Sequence, residues 1–265
     1  MAFEGKAMAA TGSGFSRSAW RVMDTGQIGP ATAALDRPLL LGIDTCGPTG
    51  SVALGRSSGA LVEIVGEIEL EGRSYSATLV AAVGELLGRS GAGLREVGVI
   101  VAVTGPGSFT GVRVGLSAVK GLAEGRQIGV VAVSRLAVLA WKAGVESAAL
   151  DAHRGEVFLR LNGLGLEGKE LLAGAKELGA IDPGRRRIAV CDDAAEALLR
   201  AAWPAVELVR RPAPTAADAV RLAEPRILAG KFLDLALLDG NYLRRSDAEI
   251  FGGEIPGAAE GPHRA

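Results

Sequence analysis

With 265 residues, 48% of them hydrophobic and 22% charged, the chain has the composition of a folded protein and the length for one large domain or two small ones. A formal net charge of −1 does not favour strong non-specific binding to nucleic-acid phosphates, although a local basic patch is compatible with it, and an aromatic content of 4% argues against a base-stacking platform. Cys46 and Cys191 lack CxxC spacing, so neither a zinc site nor a disulfide framework is expected, and a reduced cytoplasmic setting fits best.

No apolar run is long enough to span a membrane. Residues 1–37 are small, polar and glycine-dotted, and are expected to be a disordered tail or an over-extended start. Order begins at Leu39. "LLLGIDTC" is a continuous apolar run ending in Asp44, as a buried strand requires. "GPTG" supplies turn chemistry, "SVALG" a second strand, and "ALVEIVGEIEL" a third with imperfect alternation. A helix is predicted over 76–89, a buried strand over 97–103, and a helix over about 111–124. A strand at 128–133 and a helix from Ser134, a good N-cap, follow.

The plan then restarts. "SAALDAHRGEVFLRLNG" is again strand, Asp, turn, strand, with Asp151 standing where Asp44 stood, and "RRRIAVCDDAAEALLRA" is again strand, loop, helix. The second half repeats the first in abbreviated form. The fold class is therefore α/β with two similar lobes, each a mixed sheet with flanking helices. The divisions read 38–142 for the first lobe and 143–245 for the second, which takes the C-terminal helix at about 215–230. An extended segment follows from Leu238, and 246–265 are expected to be a disordered tail.

A strand ending in Asp before a small-residue turn is the phosphate-facing hairpin of actin-like ATPases and sugar kinases. Asp44, Thr45 and Ser51 have the chemistry for such a site, and so does local Asx-turn bonding. "GPGSFTG" is neither a Walker loop nor a dinucleotide fingerprint. Ser108 and Thr110 stand before a helix, where a cap and an anion site are alternative readings. Two histidines, His153 and His263, give no metal spacing, and Asp192–Asp193 read as a helix start and not as an acid–base pair. No catalytic residue is assigned.

The glycines around 105–121 are costly in a helix. At helical spacing Gly111, Gly115 and Ala118 share one face, Val112, Leu116, Val119 and Ala123 a second, and Arg113, Ser117, Lys120 and Glu124 a polar third. The 76–89 helix carries a matching stripe of Ala77, Ala81, Gly84 and Gly88. Two such helices can pack closely, with an apolar face left for a partner, and that interface is expected to use Ala77, Ala81, Gly84, Gly111, Val112, Gly115, Leu116 and Val119.

"LLLGIDTCGPTGSVALG", "VTGPGSFTGVRVGLSAVKGLA", "DAHRGEVF" and "NYLRR", in this order and spacing, resemble the bacterial TsaB (YeaZ) family over about Leu39 to Arg245. The resemblance implies an actin-like (ASKHA) two-lobe fold. It also implies a cytoplasmic role in making threonylcarbamoyladenosine on tRNA, as an inactive paralogue that forms a heterodimer with the catalytic subunit TsaD and works with the ATPase TsaE. A homodimer in isolation is left open, as are direct tRNA contacts. The catalytic relative holds a metal through paired histidines; this chain has Tyr75 at the matching place, which puts a polar role there in doubt and implies no metal. The family's loop arginine is replaced by His153 or moved to Arg154. No cofactor is firmly implied, although Asp44, Thr45 and Ser108 could form a degenerate ATP/ADP site within the complex. An actin-like ATP-dependent kinase or ATPase is the alternative; its second phosphate loop and adenosine loop are missing here.

Overall fold

A computed structural model of the chain describes residues 38–58, 61–72, 74–162 and 168–244. The two expected tails lie outside the described residues. The first sheet has the order β3-β2-β1-β4-β5, built from β1 (Leu39–Asp44), β2 (Thr49–Ser57), β3 (Val62–Glu71), β4 (Val97–Val103) and β5 (Gly129–Val133). β1 pairs antiparallel with β2 and parallel with β4, so the chain hairpins first and crosses over afterwards. β1 and β4 are buried along their whole length, as their unbroken apolar runs predict. β3 lies at the edge and alternates, its glutamates outward and Ile64 and Ile68 inward. The crossovers are α1 (Tyr75–Arg89) and α2 (Phe109–Glu124).

The second sheet repeats this order. β6 (Ser147–Asp151), β7 (Glu156–Leu161), β8 (Lys169–Gly174), β9 (Arg187–Val190) and β10 (Glu207–Arg210) are arranged β8-β7-β6-β9-β10. The abbreviation expected of this half removes no strand but shortens all five, and it falls hardest on the helices. α4 (Ala175–Gly179) is five residues where α1 is fifteen, and α5 (Asp193–Ala202) is ten where α2 is sixteen. β8 and β10 are short outer strands that apolar patterning did not mark.

Two helices change lobes, which corrects the expected boundary at 142/143. α3 (Arg135–Ala143) begins right after β5, yet Leu136, Leu139, Ala140 and Ala143 pack with Ala148, Leu150 and Phe158 of the second sheet. Ser134 caps it as expected, accepting the N–H groups of Leu136 and Ala137. α6 (Ala216–Leu228), assigned to the second lobe from its place in the chain, returns to the first. Its Ala219, Val220 and Ala223 enter the first core, and Ser51 Oγ accepts the Ala216 N–H at 2.8 Å. The chain therefore passes twice between the lobes. The last described segment runs back along the first sheet, where the Leu233 N–H bonds the Val130 carbonyl and the Asn241 N–H the Thr104 carbonyl. Among the described residues no helix is long and apolar enough to cross a membrane.

Gly111 and Gly115 of α2 sit against Thr45 of the β1–β2 turn, not against the small stripe of α1. A Cβ on Gly111 would fall well inside contact with the Thr45 carbonyl, and one on Gly115 inside contact with the Thr45 hydroxyl. Gly84 and Gly88 on α1 are exposed, with nothing near enough for a Cβ to meet. Gly111→Ala should therefore cost about 1–3 kcal/mol through overpacking. Gly84→Ala should leave stability unchanged or raise it by up to about 1 kcal/mol, since alanine is the better helix former. Urea unfolding of the two variants measures the contrast; equal stability would mean that α2 does not sit hard against the turn.

Candidate functional site

The β1–β2 turn is held from all sides. Asp44, at the end of β1, is 1% exposed. Its Oδ1 accepts the Cys46 N–H at 2.8 Å, an Asx turn, and its Oδ2 faces the Arg135 Nε at 3.4 Å. Arg135 comes from the first turn of α3, so this pair joins the two lobes. Burial, the largest single influence, lowers the guanidinium pKa, but Asp44 together with Cys46 and Cys191 outweighs it and the pKa is raised. The Thr45 hydroxyl donates to the Gly111 carbonyl at 2.7 Å. The Cys46 thiol donates to the Val103 carbonyl, and burial, followed by the charge of Asp44, pushes its pKa well up. Ser108 caps α2 by accepting the Gly111 N–H, and its own N–H bonds the Cys46 carbonyl at 2.8 Å.

The residues nominated for a nucleotide are thus brought together, but their polar atoms bond within the chain. Asp44 is paired, Thr45 and Ser108 are tied to α2, and Ser51 caps α6. Sequence reasoning missed Arg135, the group that neutralises Asp44. Doubt about a polar role for Tyr75 is also corrected. Tyr75 is 3% exposed and its hydroxyl donates to the Gly47 carbonyl at 2.9 Å, fixing the turn from the α1 side. Burial and the nearby Asp44 charge raise its phenol pKa.

The second lobe copies the first at Asp151. Its Oδ1 accepts the His153 N–H at 2.8 Å, the same i to i+2 bond that Asp44 makes to Cys46. Here the exposed His153 ring stands 2.8 Å from Oδ2. Asp192 caps α5 and also accepts the Asp151 N–H, as the helix-start reading of that pair requires. Burial pushes the Cys191 thiol up to about 11. Between the lobes lies a cleft of about 1170 Å³, walled by the Gly47–Thr49 turn, Pro106–Phe109, Asp151–Arg154, Cys191 and Asn241–Arg244. Ser108 and Arg135 reach its wall; Asp44 and Thr45 do not.

The nominated partner surface divides in two. Ala77, Ala81 and Gly84 are exposed on α1, with Val80 between them 64% exposed. Val112, Leu116 and Val119 are not a surface: they are buried in the first core with β1 and β4, and Gly111 and Gly115 lie under the turn. The half-buried Val114 and Ala118 and the exposed Gly121 share the next face of α2 at helical spacing, and α2 touches α1.

Residues 68–176 match the family model of TsaD, tRNA N6-adenosine threonylcarbamoyltransferase. The chain is 34% identical over 125 residues to the tRNA threonylcarbamoyladenosine biosynthesis protein TsaB of Escherichia coli K12, a match covering 45% of this chain and 52% of that protein. It is 35% identical over 126 residues to the protein of that name from Bacillus subtilis 168, covering 46% and 54%. The chain thus spans about half the length of the curated relatives it matches. The solved structure of YeaZ from Pseudomonas aeruginosa is similar with a TM-score of 0.62 at 28% identity, covering 78% of this chain and 100% of that one. With two mixed sheets of one topology, the fold is α/β, actin-like and two-lobed.

Proposed function

We propose that this chain, which belongs to the TsaB (YeaZ) family, is a non-catalytic subunit in tRNA threonylcarbamoyladenosine biosynthesis. It pairs with a TsaD-like catalytic paralogue, and a TsaE-like ATPase supplies the nucleotide-driven step. The observation that carries the non-catalytic part is the closure of Asp44 by Arg135. A carboxylate that must position a metal-bound phosphate has to be open to it; here a buried guanidinium already satisfies it. What the chain still offers outward is the small, apolar stripe of α1, flanked by Val114, Ala118 and Gly121 of α2. Small side chains let a partner helix approach its backbone closely, and a paralogue with the same crossover helices has the matching shape.

The role is tested in cells. In a strain depleted of this protein, mass spectrometry of hydrolysed tRNA should find threonylcarbamoyladenosine strongly reduced, and a plasmid copy of the gene should restore it. Normal nucleoside levels after depletion overturn the reading.

A further inference from the structure

Beside the buried face of α2, with Leu116 at its edge, a second concavity of about 420 Å³ is built from α2 and the last described segment. Phe109, Arg113, Ser117 and Lys120 come from one stripe of the helix, and Asp239, Tyr242 and Arg244 from the facing chain. Phe109 and Tyr242, 37% and 39% exposed, meet with ring centroids 5.1 Å apart at an interplanar angle of 53°. The Arg113 guanidinium lies 3.8 Å over the Phe109 ring. Arg113 and Lys120 are exposed, and neither makes an ion pair among the described residues.

The site is fixed in place. The Asn241 N–H bonds the Thr104 carbonyl on one side of Tyr242. Arg244, on the other side, bonds the Ala152 carbonyl at 2.9 Å and pairs with Glu156. The Tyr242 ring rests against Gly240, where any Cβ would collide with it. Two large exposed rings, far apart in sequence and held together under an arginine, are an uncommon use of aromatic surface in a chain so poor in it. Tilted rings leave faces free for a third flat group, and the adjoining cations suit a phosphate.

We infer that this pocket takes one nucleotide unit of a single-stranded RNA, with its base stacked on Tyr242 beside the Arg113 guanidinium that already covers Phe109, and its phosphate drawn to Arg113 and Lys120. Stacking needs no particular base, so the site is tolerant of sequence. Asp239 is the acceptor for a ribose hydroxyl, the group by which RNA differs from DNA. That the strand is RNA, and not a free nucleotide, rests on the proposed role in tRNA modification. The low net charge argued against non-specific binding, and this is a local site of the kind it left open.

The test is fluorescence anisotropy of a labelled twelve-residue oligoadenylate RNA with the purified full chain, alongside the same sequence as DNA and AMP as competitor. The RNA should bind more tightly than the DNA, and AMP should displace it only at far higher concentration. Arg113→Glu and Tyr242→Ala should each weaken binding by roughly tenfold or more. Lys120→Ala should lower the slope of log affinity against log salt by about 0.7. Lys176→Glu, an equal charge change on exposed α4, should have no effect. No change with Arg113→Glu, an equal loss with Lys176→Glu, or binding of AMP without RNA overturns the site. If Tyr242→Ala melts early, Arg113→Glu, an exposed change, carries the test. Absence of RNA binding in a protein whose depletion removes the modified nucleoside would discard the pocket and leave the role standing. Loss of the role would not alter the anisotropy result.

Discussion

Arg135→Met is expected to destabilise the free chain by about 3–5 kcal/mol, the usual cost of stranding a buried charge. Asp44 and the Arg135 side chain are 1% and 6% exposed, so neither can turn to water when its partner goes. Without the guanidinium, Asp44 Oδ2 loses its charged neighbour, while Oδ1 still holds the Cys46 N–H. Asp44→Asn should be costly for the mirror reason. The double variant Asp44→Asn with Arg135→Met should recover part of the loss, because no unpaired charge remains. Urea unfolding of the four proteins gives the coupling energy. A loss under 1 kcal/mol for Arg135→Met would mean that the pair does not hold the lobes. It would also reopen Asp44 as a phosphate-positioning group.

This pair shows what the sequence could and could not convey. Arg135 sits at the first residue of α3, where the helix dipole disfavours a cation. That misplaced charge was the one local signal that a carboxylate must wait nearby, and it identified no partner 91 residues away. Local features were legible because they are local: the Ser134, Ser108 and Asp192 caps, the buried runs of β1 and β4, and the repeat of Asp44 in Asp151. Lobe membership was not. α3 is buried on nearly every side and α6 on one face, and in neither do the apolar residues say which sheet covers them. The glycines of α2 misled for a related reason. Small residues admit any close neighbour, and here the nearest is Thr45, by its carbonyl at Gly111 and its hydroxyl at Gly115, not the small stripe of a second helix. β8 and β10 escaped because short outer strands need not alternate.

Val119→Asp and Val80→Asp, one charge placed on each of two neighbouring helices, should separate fold from assembly. Val119 is wholly buried among the strands of the first lobe. A carboxylate there has no water and no cation, and it must either stay charged at a cost of many kcal/mol or hold its proton at pH 7 at a cost of several. The loss should exceed about 4 kcal/mol, comparable with the whole stability of many domains, so the free chain should be unfolded or nearly so at 25 °C. Val80 is 64% exposed, and an aspartate there stays hydrated in the free chain. Its thermal midpoint should match the wild type, since surface changes of this kind stay within about 0.5 kcal/mol. If the α1 stripe meets the TsaD-like paralogue, the same carboxylate is stripped of water only in the complex, and capture of the paralogue should fail although the subunit is folded. Thermal unfolding and capture are read on the same preparations. A Val119→Asp chain that melts like the wild type would return the Val112, Leu116, Val119 face to the surface. Full capture by Val80→Asp would move the partner off the α1 stripe and onto another face of the first lobe.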